Sequence, residues 1–207
     1  MPSRFLEKNY TEESFYHVFN RGVEKRDIFI DGQDYRYFLG LLERYLQNEP
    51  ATDKTGRSLP NYSKEIELLA YCLMPNHIHL LVYQIDKDAM QKFMRSLCTS
   101  YSMYFNKKYK RVGKLFQDRY KAVLVDEEGY FTHISRYIHL NPLDVGKDYK
   151  TYPYSSLKYW IGDEKADWLK PEKGVALFGA RGEYGNFLED YEEHKAELDE
   201  IKGLLKE

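Results

Sequence analysis

Residues 66–84 read IELLAYCLMPNHIHLLVYQ, and the fold turns on how this stretch divides. Ile66–Leu73 and His77–Gln84 are apolar runs of strand length, too short for ordinary helices. Met74-Pro75-Asn76 separates them, and a Pro/Asn turn between two such runs predicts a β-hairpin. Upstream, Ser14–Phe19 alternates, with Phe15, His17 and Phe19 on one face and Tyr16 and Val18 on the other, and Asn20-Arg21-Gly22 reads as a turn. Asp31 or Asp34 can cap a helix reaching about Asn48, because Tyr37, Phe38, Leu41, Leu42 and Tyr45 recur at helical spacing. Pro50–Ser63 is polar and reads as an exposed loop. Downstream of the hairpin, Met90, Phe93, Met94, Leu97, Tyr101, Tyr104 and Phe105 form the stripe of a helix from about Asp86 to Lys107. Gly113 breaks it, Leu115–Val125 reads as a strand, and Asp126 caps a helix that Pro142 ends. The order β-α-ββ-α-β-α predicts an α+β fold: an antiparallel sheet with packed helices, over residues 10–146. Residues 147–207 form a C-terminal extension whose acidic end, Asn186–Glu207, reads as a surface helix.

At 207 residues the chain is long enough for a sizeable core without a disulfide or metal staple. No apolar run approaches the ~18 residues of a membrane span. No apolar segment follows the first arginine as a signal peptide requires. Cys72 and Cys98 are the only cysteines and form no CxxC pair, as expected for small buried apolar residues in a reducing compartment. The expectation is a cytoplasmic protein with no membrane partner. Its net charge of -2 hides an asymmetry, since residues 182–207 hold 9 acidic and 3 basic side chains. Residues 106–121, NKKYKRVGKLFQDRYK, hold seven basic side chains against Asp118 alone, with Tyr109, Phe116 and Tyr120 interleaved. Cations with aromatics suit a nucleic-acid strand, phosphates meeting Lys/Arg and bases stacking on rings. A solvated helix end and loop accounts for the same composition.

His77 and His79 are two apart on a strand, so both imidazoles face one way with Cα atoms roughly 6.5–7 Å apart. Their nitrogens can converge on one ion, although two polar residues at period two also describe a plain solvent face. On the helix after Asp126, Tyr137 and Asn141 are four apart and share a face, and His133 lies four before Tyr137. A phenol of pKa ~10 is only ~0.1% ionised at pH 7, a handicap of about 4 kcal/mol for a nucleophile. A divalent ion acting on the phosphate under attack offsets that handicap. The histidine pair and Tyr137 therefore make more sense together than apart. His133 could orient Tyr137 or take its proton, or simply lie at the surface.

YHVFNRG (16–22), LMPNHIHLLV (73–82), GKLFQDRYKA (113–122) and SRYIHLNPLDVG (135–146) together resemble the tyrosine transposases of the IS200 class. The resemblance is nearest to the REP-associated tyrosine transposases and runs from about Tyr16 to Gly162. YPYSSLKYWIG (152–162) resembles the segment after the tyrosine in that branch, with Tyr154 where tryptophan is common. This resemblance implies an HUH endonuclease fold with a ferredoxin-like, RRM-like core. It implies that His77, His79 and Asn141 hold a divalent ion, Mg2+ or Mn2+, and that Tyr137 attacks a DNA phosphate. The implied activity is nicking and rejoining of single-stranded or hairpin DNA through a 5′-phosphotyrosine link. From charge alone, Arg21, Lys107, Lys108, Lys110, Arg111, Lys114 and Arg119 are candidate DNA contacts. A non-catalytic hairpin-binding protein and a metal-dependent nuclease using water are the rival readings. Family members act as monomers or homodimers, and both states stay open here.

Overall fold

The computed structural model describes residues 10–126 and 128–190. Strands β1 (Ser14–Arg21), β2 (Ile66–Met74), β3 (His77–Gln84) and β4 (Lys121–Val125) form one antiparallel sheet in the order β2-β3-β1-β4. The expected α+β class, with helices packed on an antiparallel sheet, is the one observed. The hairpin is as the sequence predicts, except that Met74 belongs to β2 and only Pro75-Asn76 turn the chain. A register shift between Leu68 and Ala70 interrupts the alternation of β2, so IELLAYCL reads as a continuous apolar run.

Two of the sequence expectations shift. Asn20 and Arg21 are strand residues rather than a turn, because they pair with Ile78 and His77. The chain bends at Gly22, where a Cβ would lie 2.2 Å from the carbonyl oxygen of Arg26, an approach only glycine permits. The strand expected over Leu115–Val125 shortens to β4. Leu115–Gln117 instead runs beside Arg21–Val23, joined by Val23 N–H to Leu115 O (2.9 Å) and Gln117 N–H to Arg21 O (2.9 Å). Gly113, at φ +94°, sets the bend that delivers it there.

Helices α1 (Gly32–Leu46) and α2 (Ala89–Lys108) cover one face of the sheet. Asp31 is the N-cap of α1, accepting from the N–H groups of Gln33 and Asp34, while the Asp34 side chain returns the bond. Such a capping box stabilises a helix start by about 1 kcal/mol. Phe38, Leu42, Phe93 and Leu97 pack there against Tyr16, Val18, Ile78, Leu80 and Val82. Helix α3 (Glu128–Leu140) covers the other face, with Phe131, Ile134 and Ile138 against Phe19, Ala70, Cys72 and Leu81. It ends before a 3-10 turn, Asn141–Val145, whose second residue, Pro142, sits at a position needing no N–H donor.

The extension is built onto that second core. Its short helices α4 (Leu157–Ile161), α5 (Glu172–Val175) and α6 (Arg181–Glu189) contribute Leu157 and Trp160, the partly buried Val175, and Tyr184 and Leu188. It also closes the β2 edge of the sheet. Leu73 N–H donates to Tyr154 O (3.0 Å), Ser156 N–H to Tyr71 O (2.9 Å) and Trp160 Nε1 to Leu69 O (2.8 Å). These bonds occupy backbone groups that an open edge would offer to another chain. Of the acidic helix expected over Asn186–Glu207, α6 includes the beginning, and 191–207 lie outside the described residues. Among the described residues no helix is long and apolar enough to cross a membrane.

His139 ties α3 to the extension. Ser156 Oγ gives its one proton to Tyr71 O (3.2 Å), so His139 Nε2–H donates to Ser156 Oγ (2.8 Å) and Nδ1 accepts from Tyr184 O–H (2.6 Å). Burial lowers this imidazole to about 3. The unfolded chain, titrating near ~6.5, therefore takes up the proton first as the pH falls. The stability that neutral His139 contributes is full above that value and drains away as pH descends towards the folded pKa. Between pH 7 and pH 5 this group should cost about 2 kcal/mol of unfolding free energy in urea titrations. His139→Gln should lose that part of the pH slope, and an unchanged slope in the variant would sink the assignment.

Candidate active site

His77 opens β3 at the Pro75-Asn76 turn and His79 follows on the same face. Across β1 their register partners are Arg21 and Phe19. His79 is fully buried and His77 is half-buried. Tyr137, three residues before the end of α3, brings its ring 5.2 Å from that of His79 and 5.9 Å from that of His17, edge-on to both. Asn141 comes in from the turn after α3, where its Nδ2 donates to Tyr137 O (2.9 Å). The four residues singled out from two separate segments are thus brought to one place, Tyr137 and Asn141 lying over the histidine strand.

The donor set carries a chemical requirement. His77 Nδ1 lies 2.6 Å from Asn76 Oδ1, and His77 Nε2 lies 3.2 Å from Asn141 Oδ1. Both amides are oriented by their nitrogens, Asn76 Nδ2 donating to Lys25 O and Asn141 Nδ2 to Tyr137 O. Both His77 nitrogens therefore face acceptors, and a neutral imidazole has one N–H. The contact with Asn141 is met by an imidazolium, or by a cation that takes the lone pairs of Nε2 and Oδ1 together. Two ligands at roughly 2.0–2.2 Å from one ion stand roughly 3 Å apart, close to the separation seen. Imidazole nitrogen with amide oxygen is a donor set that suits a small divalent ion such as Mn2+ or Mg2+ rather than a thiophilic one. Among the described residues no group of three or more His, Cys, Asp and Glu side chains is placed to hold a metal. The third donor here is an amide.

His17 was not a candidate from the sequence. It is fully buried, and its Nε2 lies 2.9 Å from His79 Nδ1. Its ring lies nearly parallel to those of Phe19 (centroids 5.2 Å apart) and His79 (5.1 Å), the three forming one cluster. The available signal was a histidine at period two between Phe15 and Phe19, on a face otherwise apolar. His133, by contrast, has its ring 6.3 Å from Phe187 of α6.

The seven basic candidates are not gathered. Arg21 alone lies on the sheet, beside His77, with Nε donating to Gln117 Oε1 (2.7 Å). Lys108 reaches back to α1, pairing with Asp31 (2.8 Å) and the fully buried Asp34 (2.7 Å). Burial raises the Asp34 carboxyl, yet Lys108 and the Ile30 N–H together hold it below the ordinary range. Arg111 lies over the Phe105 ring (5.7 Å) and bonds Asn106. Lys107, Lys110, Lys114 and Arg119 are exposed around the end of α2 and the adjoining loop.

Residues 57–141 match the family model of IS200-like transposases. The matched stretch is 85 of the 207 residues. The matched IS200-like segment includes His77, His79, Tyr137 and Asn141, and stops short of the extension. Among solved structures, a REP-associated tyrosine transposase bound to a REP hairpin is 16% identical, covering 79% of this chain and 90% of that one, with a TM-score of 0.54. A second, described as a transposase candidate from Deinococcus radiodurans R1, is 18% identical over 62% of this chain and 91% of that one, with a TM-score of 0.41. The first shares the fold; the second superposes too loosely to bear on it. No curated protein matches the chain.

Proposed function

We propose that this protein nicks and rejoins single-stranded DNA at hairpins through a covalent 5′-phosphotyrosine on Tyr137. Residues 10–146 would form the catalytic unit, with 147–207 as its extension. The observation that carries the reading is the meeting of Tyr137 with His79, its ring 5.2 Å away, and of Asn141 with His77 at 3.2 Å. The hairpin substrate is suggested by the structural neighbour, which was solved on a REP hairpin.

His77, His79 and Asn141 would hold Mg2+ or Mn2+. Bound there, the ion supplies positive charge to the phosphate under attack. To offer Nε2 as a ligand, His79 must carry its proton on Nδ1 and donate it to His17 Nε2. His17 thereby sets the tautomer and ring orientation of His79. Asn76 does the same for His77, accepting from Nδ1 so that Nε2 faces Asn141. Tyr137 Oη forms a bond to phosphorus, the bond to the 3′ oxygen breaks, and the phenolic proton is released as the strand end becomes a 3′-OH. The phosphotyrosine ester retains the energy of the phosphodiester, so another 3′-OH can reverse the step without ATP.

The test is a denaturing gel with single-stranded hairpin DNA from the flanks of the gene. A shifted, protease-sensitive band requiring Mg2+ or Mn2+ and lost with chelator is expected. Cleavage without an adduct would instead indicate water as nucleophile, and binding with neither product a hairpin-binding protein. Independently of DNA, His77→Ala should weaken Mn2+ binding in calorimetry by at least the ~10–100-fold that losing even an orienting partner costs. Undiminished Mn2+ affinity would remove His77 from the ligand set.

A further inference from the structure

The row of the sheet that carries His79 also carries a cation. Phe19 pairs with His79 on one side and with Lys121 of β4 on the other. Directly opposed residues of antiparallel strands face the same way, so Lys121 stands on the histidine face. It is two strands from His79, roughly 10 Å between Cα atoms at ~4.8 Å per strand. Its Nζ lies 5.6 Å from the Phe19 ring, which is itself 6.0 Å from the His79 ring. Phe19, His17 and His79 are buried, while Lys121 is exposed. The cation thus lies at the exposed edge of the sheet face on which the imidazoles of His17 and His79 are buried. Among the described residues no carboxylate forms an ion pair with Lys121. Lys108, in the same basic stretch, is by contrast held by two aspartates.

We propose that Lys121 grips the phosphate that is cut, its ammonium binding a non-bridging oxygen of the phosphodiester attacked by Tyr137. This rests on the Tyr137 reading above. His77, His79 and Asn141 are neutral donors on the β3 side, and Lys121 approaches from the β4 side. A phosphate between them is held from two directions, which favours one orientation for in-line attack. Negative charge builds on the non-bridging oxygens as the new bond forms, and an ammonium already in place beside them stabilises it without the reorganisation that water would need. Lys121 acts by charge and hydrogen bonding.

The experiment uses the full chain and the flanking hairpin oligonucleotide, with the cut position mapped from fragment length. Lys121→Gln should slow single-turnover adduct formation about 10–100-fold, the worth of a charged hydrogen bond. Lys121→Arg should recover most of it, and Mn2+ affinity should be unchanged in both. In a Tyr137→Phe background, which cannot cut, a neutral methylphosphonate at the mapped phosphate should weaken binding. Adding Lys121→Gln there should cost little more, because charge and partner are removed together. Adduct formation by Lys121→Gln at the wild-type rate, or full additivity with the methylphosphonate, overturns the proposal alone. A wild-type protein that forms no adduct overturns the Tyr137 reading and this one together.

Discussion

Tyr137→Phe is expected to leave no covalent protein–DNA adduct and to reduce nicking by about 10^3-fold or more, the scale for removal of a nucleophile. The substitution is well chosen because the ring is retained. Tyr137 is 2% exposed and lies edge-on to His17 and His79, contacts that phenylalanine keeps. Removing one buried hydroxyl should alter stability by only about 1 kcal/mol, so loss of activity will not reflect unfolding. The chain has 20 tyrosines, which makes the second readout stringent: peptide mapping of the wild-type adduct should locate the DNA on Tyr137. An adduct on another tyrosine, or full nicking by Tyr137→Phe, would end the proposed mechanism.

The largest effect on stability is expected from Trp160→Ala. Trp160 is fully buried, donates Nε1–H to Leu69 O at 2.8 Å, and meets the rings of His139 and Tyr184 at 5.1 and 4.6 Å. Beneath it Gly174 leaves space for the indole, since a Cβ there would come 2.2 Å from Cη2. Truncating such a side chain costs about 3–5 kcal/mol, and the melting temperature should fall by roughly 10 °C. Trp160→Phe should cost markedly less in urea titrations. A loss below about 1 kcal/mol for the alanine variant would mean that the extension contributes little to the core shared with α3.

The hairpin was legible because Pro75-Asn76 is a local turn signal between two apolar runs, and α1 because Asp31 and Asp34 sit where caps belong. The end of β1 was not. Asn20-Arg21-Gly22 has turn composition, and only the pairing with β3 extends the strand through Arg21. Leu115–Tyr120 has strand composition, but Gly113 redirects it past the end of the sheet. Within the site, the grouping of His77, His79, Tyr137 and Asn141 came from spacing and resemblance together. His17 escaped because its role depends on β1 pairing with a strand some 60 residues later, so that its Nε2 reaches His79. Lys108 was grouped with the other cations because local charge cannot reveal carboxylates 77 and 74 residues away.

The sheet has a core on each face, and the two are separated by the thickness of a strand. Under α1 and α2 lies a layer made almost wholly of hydrocarbon and aromatic rings. Against α3 lies a layer in which Tyr137 shares its packing with Trp160 and Tyr184. The consequence is evolutionary. Substitutions that repack the first layer act on the face of the sheet opposite the histidines, so a lineage that changes it does not touch them directly. Changes in the second layer move the helix that bears Tyr137, and there inheritance has less room.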